Sequence, residues 1–299
     1  MSKNIQKFAS FFLTLIVIVI GNYVIVAQQT ISGTWKAEVK SNKTDEIYFS
    51  FERKTVRGKN QHGTNYKFSD FQGLNPSQTQ SGKIRFSLVR EAGNIECEGE
   101  FSNGKGAGNF TFMPNKNFVS AMKQRGFDFA KPSKYDSEDN PENRLFAAAT
   151  FNITTALADD LLSANFNNIE IEDLFKAAIF KIDGKFMAEM KATGFPNLEM
   201  EDLVKARIFK IDADFVRQIV AMGFKADDFE DLVKMSIFKI TPEFITETRS
   251  EGFANLDIED LVKMKIFNID AKFIREARSD GVPMEVEKLV QKRIGVWRK

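Results

Sequence analysis

Cysteine and histidine often serve as nucleophile, general base or metal ligand, and each occurs once in this 299-residue chain. Cys97 shares the apolar side of an alternating segment with Ile95 and Phe101, which predicts a buried, unreactive thiol. His62 lies in a glycine-flanked loop, and no pattern brings it to Cys97. We therefore expect no catalytic residue, no metal site and no cofactor, and one cysteine permits no internal disulfide.

Three carboxylates and a glycine cluster could also carry chemistry. Glu96, Glu98 and Glu100 recur at every second residue, so two of them could act as acid and base in a glycan hydrolase. The same spacing is typical of a solvated strand face, which we favour. Gly104–Gly108 resembles a phosphate-binding loop, but a strand-like segment follows it, which predicts a hairpin turn instead. A carboxylate-dependent hydrolase is therefore our third functional hypothesis.

The residues around these side chains predict an antiparallel β-domain over residues 28–114. Six segments alternate apolar and polar residues as half-buried strands do: 31–39, 47–52, 66–68, 84–88, 95–101 and 108–112. Six strands in sequence order predict a meander curled into a small sandwich or partial barrel. In our second functional hypothesis its interior binds a small apolar molecule among four aromatic residues: Trp35, Phe49, Phe86 and Phe110.

Residues 143–299 repeat with a period of 29 residues. Leucine recurs at this step at Leu174, Leu203 and Leu232, and isoleucine, phenylalanine and glycine recur with it, so the period covers whole units. Each unit predicts two short helices that are marginal alone and must bury their apolar stripes against neighbouring units. The predicted fold class is α+β, an antiparallel β-meander followed by an all-α tandem helix–turn–helix array.

Polar residues at fixed positions predict where the helices begin and end. Asp257 is suited to cap the first helix of its unit, as an acid favours a helix N-terminus. Side chains at one recurring position are suited to cap the second helix: Asp183, Asp212, Thr241 and Asp270. Glycines followed by phenylalanine predict that the second helix ends in a left-handed turn at three positions: Gly194, Gly223 and Gly252.

Two rows of lysines recur in the array. Lys176, Lys205, Lys234 and Lys263 each follow a glutamate by four residues, which predicts ion pairs within one helix, such as Lys234 with Glu230. The second row stands at the end of the first helix, where a cation suits the helix dipole, and it could also bind an acidic partner. This candidate interaction edge comprises Lys181, Lys210 and Lys239.

A row of phenylalanines also follows the period, at Phe180, Phe209, Phe238 and Phe267. Each stands directly after an isoleucine, which we assign to the core. We therefore interpret the phenylalanines as packing between units rather than as an exposed aromatic track.

The two ends of the array differ from its middle. Residues 115–142 form a predicted connection, in which Asn115–Gly126 matches a second helix and Lys131–Pro141 is a polar loop. Near the C-terminus Leu289 falls one residue short of the period, as expected of a terminal cap.

The N-terminus predicts export. Lys3 and Lys7 precede an apolar run from Phe8 to Ala27, which indicates a signal peptide over 1–27 with cleavage before Gln28. A protein cleaved there would have no membrane span and an extracytoplasmic location, periplasmic or secreted. The alternative is a membrane anchor formed by uncleaved residues 8–27. The balance of 42 basic and 41 acidic residues argues against nucleic acid as a partner.

The segments Glu230–Thr241 and Glu259–Asp270 resemble repeats of uncharacterised bacterial exported proteins. Similar repeats are appended to integral-membrane zinc peptidases of the antirepressor type. Their His-Glu-x-x-His site is absent here, so the resemblance implies an accessory or sensing module without peptidase activity. Our first functional hypothesis is accordingly a non-catalytic interaction protein with a protein partner in the cell envelope.

Overall fold

The computed structural model describes residues 30–40, 45–55, 58–131, 141–166, 168–195, 197–224 and 229–298, with the backbone alone at 54–55 and 58–60. The predicted signal peptide and most of the polar loop lie outside these residues. The chain divides into two compact units: the described residues up to Val89 with Gly93–Pro114, and Arg90–Ala92 with the chain from Asn115 onward. Strands form the first unit and helices the second, so the α+β class is confirmed.

Seven antiparallel strands form one curled sheet in the first unit. Their bounds are β1 Ile31–Glu38, β2 Glu46–Thr55, β3 Gly58–Lys67, β4 Phe71–Gln72, β5 Ser81–Arg90, β6 Gly93–Ser102 and β7 Lys105–Pro114. The order across the sheet is β3-β2-β1-β7-β6-β5-β4. The predicted antiparallel sheet, curled into a partial barrel, is confirmed. The predicted six strands in sequence order were wrong, since β1 pairs with β7 and the order breaks between β3 and β4.

The core of the sheet is aromatic. Trp35 and Phe49 are fully buried, and their ring centroids lie 5.4 Å apart. Gly99 makes room for the indole, because a Cβ there would lie 2.7 Å from Trp35 Cζ2. The indole Nε1 in turn donates a hydrogen bond to the Glu98 carbonyl oxygen at 3.2 Å. The alternating residues of the predicted strands therefore bury one face of the sheet, as half-buried strands should.

The described part of the second unit contains twelve α-helices. Their bounds are α1 Lys116–Gln124, α2 Pro141–Thr150, α3 Thr155–Ser163, α4 Ile171–Phe180, α5 Gly184–Lys191, α6 Met200–Phe209, α7 Ala213–Ala221, α8 Phe229–Ile237, α9 Pro242–Ser250, α10 Ile258–Ile266, α11 Ala271–Ser279 and α12 Val286–Arg293. The predicted second helix after Asn115 is α1, and the predicted terminal cap contains α12.

The first helices of successive units contact one another in sequence order: α4 with α6, α6 with α8, α8 with α10, and α10 with α12. We call these five helices the first-helix row. Their recurring leucines are buried, with Leu203 and Leu232 fully inaccessible to solvent. The stack therefore stabilises helices that are too short to be stable alone.

The predicted helix ends are present. Asp212 Oδ1 accepts a hydrogen bond from the Phe215 amide at 2.8 Å, and Asp257 Oδ1 accepts one from the Asp260 amide at the same distance. Gly223 has a φ of 83°, the left-handed conformation predicted for the end of a second helix. Local sequence was sufficient here because a cap depends on residues within one turn.

In the described part of the chain, no single helix has both the length and the apolar character needed to span a membrane; one sharply bent pair, Pro141–Thr150 with Thr155–Ser163, meets that test by length and composition.

Candidate functional site

The four aromatic residues of the predicted ligand pocket lie in the core of the sheet. Trp35 contacts Phe86 as well as Phe49, with ring centroids 5.3 Å apart, and Phe110 packs edge-on against Phe51 at 5.3 Å. Phe86 and Phe110 are each exposed by 5% or less. These rings contact one another, so a ligand among them would have to displace core packing.

The other candidate residues of the sheet lie where a structural role explains them. Glu96, Glu98 and Glu100 are all exposed, as a solvated face requires. Cys97 is buried, and burial raises the pKa of its thiol far above the ordinary value, which leaves it protonated. The segment from Gly104 to Gly108 opens β7 after a tight turn, so no helix N-terminus follows it. Within the described residues no three histidine, cysteine, aspartate or glutamate side chains are grouped to hold a metal ion.

The first-helix row of the helical unit carries a line of exposed apolar side chains. The isoleucine at one equivalent position is about half exposed in every unit from α4 to α12. The five members, with their exposed fractions, are Ile179 (48%), Ile208 (52%), Ile237 (53%), Ile266 (52%) and Ile294 (53%). We call these residues the isoleucine row. Our assignment of the first four to the core was wrong.

Helix geometry explains why these isoleucines face solvent. Successive residues of an α-helix are rotated by about 100°, so Ile208 lies about 200° from Ala206 and about 140° from Leu203. Both of those residues are buried, but the buried Val204 lies only about 40° away, so Ile208 lies at the outer edge of the buried stripe. Glu201 and Lys205, seven and three residues earlier, share its side of the helix. The isoleucine row thus lies on the same outward face as these charged residues.

Three isoleucines of the isoleucine row are each followed, two residues later, by a lysine with an uncommon backbone conformation. Lys181, Lys210 and Lys239 have φ values of 57°, 56° and 55°, in the left-handed region. This turn lets the Ile211 amide donate a hydrogen bond to the Ala206 carbonyl oxygen at 2.8 Å, which closes the end of α6. First helices therefore end in the same kind of turn as second helices, with lysine where glycine is usual.

These lysines are exposed and carry charge that the described structure leaves uncompensated. Among the described residues no carboxylate oxygen lies within 4 Å of Lys181, Lys210 or Lys239. The equivalent residues of the flanking units are Asn152 and Asn268, with φ values of 55° and 51°. Asparagine tolerates this conformation better than other residues that have a side chain, so the turn itself requires no lysine.

The other lysine row forms ion pairs between units. Lys234 Nζ lies 2.7 Å from Glu259 Oε1 of the next unit, and this hydrogen bond is the main cause of its raised pKa. The predicted partner, Glu230, instead contacts Lys205 of the preceding unit. The equivalent pairs at the two ends are Lys176–Glu201 at 2.6 Å and Lys263–Glu287 at 3.7 Å. The predicted pairing of Lys234 with Glu230, four residues earlier, was therefore wrong, because parallel neighbouring helices bring the next glutamate closer. Within its own helix Lys234 instead contacts Asp231, three residues earlier, at 3.5 Å.

Phenylalanines of the second helices are covered by cations. The Arg207 guanidinium lies 3.7 Å from the centroid of the Phe186 ring, and Lys265 Nζ lies 3.9 Å from that of Phe244. Burial lowers the pKa of Lys265. The predicted phenylalanine row is half-buried, so it matches neither full core packing nor an exposed aromatic track. Its members are Phe180, Phe209, Phe238 and Phe267. Arg207 and Lys265 are thus in contact with aromatic rings of the core. The isoleucine row, in contrast, remains about half exposed in the described structure.

No protein-family model, curated protein or solved structure matches this chain. The resemblance of the repeats to those of exported bacterial proteins therefore stays a prediction. The geometry alone offers an extended apolar and cationic face on the helical unit, with the isoleucine row and three lysines at the C-terminal ends of the first helices.

Proposed function

We propose that this chain is a non-catalytic, extracytoplasmic interaction scaffold that binds an elongated protein partner along its first-helix row. The observation that carries this proposal is the isoleucine row, five equivalent side chains that are each about half exposed. One exposed apolar residue on a surface is ordinary, whereas a contiguous row is typical of an interaction site. Stacked helical repeats present such extended surfaces to partners.

The row offers a useful amount of binding free energy. Covering the exposed half of an isoleucine contributes roughly 1 kcal/mol, since complete burial is worth about 1.5–3 kcal/mol. Five such side chains therefore contribute on the order of 5 kcal/mol before the entropic cost of association. A partner that contacts only one unit gains little, so the row favours a long partner over a compact one.

The two alternative functions receive less support. An apolar ligand in the sheet would have to separate Trp35 from Phe86, which now fill the core together. A carboxylate-dependent hydrolase would require one carboxyl group in an environment that raises its pKa, whereas Glu96 and Glu98 are both exposed.

The proposed location has its own test. If residues 1–27 are a cleaved signal, protein isolated from its source should begin at Gln28 or within a residue or two of it. N-terminal sequencing measures this directly. Recovery of an intact Met1 in the membrane fraction would support the anchored alternative instead.

A binding comparison tests the scaffold. The double variant Ile208→Gln/Ile237→Gln should fold normally, because both side chains are exposed and glutamine is a good helix former. The matched control is Leu162→Gln/Val220→Gln, which changes side chains of similar exposure on second helices. Proteins of the cell envelope should be captured by the wild type and the control but not by the row variant. Each captured protein is then purified and titrated against all three.

Equal binding of a purified envelope protein by the row variant and the wild type would contradict the proposal. The melting temperatures of the three proteins are measured in parallel, so that loss of binding is not confused with loss of folding.

A further inference from the structure

We infer that the partner segment is acidic as well as apolar, and that it places one apolar side chain and one carboxylate against each unit. This inference rests on the proposed function and adds the chemistry of the partner. It is drawn from the three lysines beside the isoleucine row: Lys181, Lys210 and Lys239.

The turn does not require lysine at these positions, and the interaction of the cation with the helix dipole, about 0.3–1 kcal/mol, does not exceed the cost of the left-handed conformation. A left-handed residue with a side chain costs roughly 1 kcal/mol, and asparagine is among the few that lower this cost. The same turn is built with Asn152 and Asn268 in two other units of this chain. Strain that the fold does not require is typical of functional positions. The positive charge is therefore the property of Lys210 and its equivalents that calls for an explanation.

The charge is also available to a partner. Lys210 is exposed and has no carboxylate within 4 Å among the described residues, in contrast to Lys205, which pairs with Glu230. Asp212, two residues further on, accepts a hydrogen bond from the Phe215 amide and so caps the second helix. Among the described residues, the lysines at the ends of α4, α6 and α8 thus form a row of unpaired cations beside an apolar row, which suits acidic side chains.

The spacing of the repeats determines which residues of the partner face the isoleucine row. Packed neighbouring helices lie about 8–10 Å apart, so successive rungs of the isoleucine row share that spacing. A polyproline II segment has three residues per turn and rises by about 3.1 Å per residue, so it would present every third residue to the row, about 9 Å apart. An acidic side chain beside each apolar one would then reach the lysine two residues after the isoleucine, for example Lys210 after Ile208.

Selection from a random-peptide phage library on the immobilised full-length protein tests this inference. The selected peptides should be enriched in aspartate and glutamate and should carry apolar residues at intervals. Their affinity, measured by fluorescence anisotropy, should weaken about tenfold for the triple variant Lys181→Asn/Lys210→Asn/Lys239→Asn. Asparagine keeps the left-handed turn, so this variant loses charge without losing the helix end. Added salt should weaken binding to the wild type more than binding to the triple variant.

The outcomes separate the inference from the function on which it rests. Peptides without acidic enrichment that bind the triple variant normally, yet fail to bind Ile208→Gln/Ile237→Gln, would overturn the acidic partner and leave the scaffold standing. Peptides that bind the isoleucine variant normally would overturn both. Failure to select any peptide would overturn the inference, as would dimerisation in light scattering or binding to phosphatidylglycerol vesicles that depends on the isoleucine row, since either names a different occupant.

Discussion

At the scale of single residues, Lys181, Lys210 and Lys239 combine a structural cost with a charge that no carboxylate of the described residues compensates. Each occupies a conformation that glycine or asparagine adopts more readily, and each lies at a helix C-terminus where a cation interacts favourably with the dipole. The dipole term at an exposed site is about 0.3–1 kcal/mol, and the left-handed conformation costs about 1–2 kcal/mol. The conformational cost is thus at least as large as the electrostatic gain.

We expect Lys210→Asn to raise the free energy of unfolding by up to about 0.5 kcal/mol, because relief of backbone strain outweighs the lost dipole interaction. Lys210→Val should lower it by roughly 1–2 kcal/mol, since a β-branched side chain is a poor fit to a positive φ. Urea denaturation followed by circular dichroism measures both. If Lys210→Val were as stable as Lys210→Asn, this result would contradict the left-handed conformation of Lys210.

Sequence patterns predicted the residues whose roles are local and missed those whose roles depend on neighbours. Asp212 and Asp257 were identified as caps because their hydrogen bonds reach only three residues ahead. The turn at Lys210 was missed because lysine carries no signal for a positive φ, although Asn268 at the same position did. The exposure of Ile208 was also missed, because residues four apart share a face of a helix and Val204, four residues earlier, is apolar and buried.

At the scale of elements, ion pairs connect neighbouring first helices. The structure pairs Lys234 with Glu259 of the next unit rather than with Glu230 of its own. We expect a double-mutant cycle of Lys234→Ala and Glu259→Ala to give a small favourable coupling, as exposed pairs do. The same cycle with Glu230→Ala is the matched control and should give less. A larger coupling in the control would restore the pair within one helix.

A second connection joins the end of α9 to α11 and makes stability depend on pH. Glu251 accepts hydrogen bonds from Arg275 at 2.5 Å and from Arg278 at 3.0 Å, and the bond from Arg275 is the main cause of its lowered pKa. The folded chain therefore binds this proton less readily than the unfolded chain. The stabilisation is complete above the ordinary glutamate pKa of about 4.3 and is lost as the pH falls from there through the folded value.

Glu251→Gln should accordingly melt below the wild type at pH 7, and the difference should shrink as the pH falls below about 4. The control is Glu276→Gln, which removes a carboxylate 4.0 Å from Lys272 on the same helix and should change the melting temperature little. Thermal melts across this pH range measure both variants. A difference that stayed constant with pH would show that Glu251 acts by packing rather than by charge.

Alternation and periodicity predicted where strands and helices lie in the sequence better than they predicted which elements lie side by side. Most long strands have an alternating segment of their own, but the segment 66–68 covers only the end of β3. The prediction of His62 in a loop was wrong, because His62 lies in β3 and pairs with Phe51, and β4 has two residues and is too short to show alternation. The pairing of β1 with β7 joins residues such as Trp35 and Gly108 that are far apart in the sequence. Period-two alternation says which face of a strand is buried and nothing about which strand lies beside it.

At the scale of the whole molecule, the array could be predicted and its surface could not. A step of 29 residues that repeats whole units indicates a stack, because no unit can bury its own stripe. The proposed binding face, in contrast, consists of side chains that the stack leaves uncovered, and these emerge only once the helices are placed. Ile237 and Ile240 are both isoleucines at recurring positions, yet one is 53% exposed and the other 1%.

The last prediction concerns the cohesion of the stack. Phe244 is 7% exposed and lies beneath Lys265 of the next unit, so Phe244→Ala should remove a ring from the contact between units at a cost of roughly 3–5 kcal/mol. Because neighbouring units stabilise one another, amide hydrogen exchange should also become faster in α8 and α10. Ile237→Gln is the exposed control and should leave both the melt and the exchange close to wild type. Should Phe244→Ala instead melt like the wild type while abolishing partner binding, the second-helix phenylalanines would belong to the binding face rather than to the core.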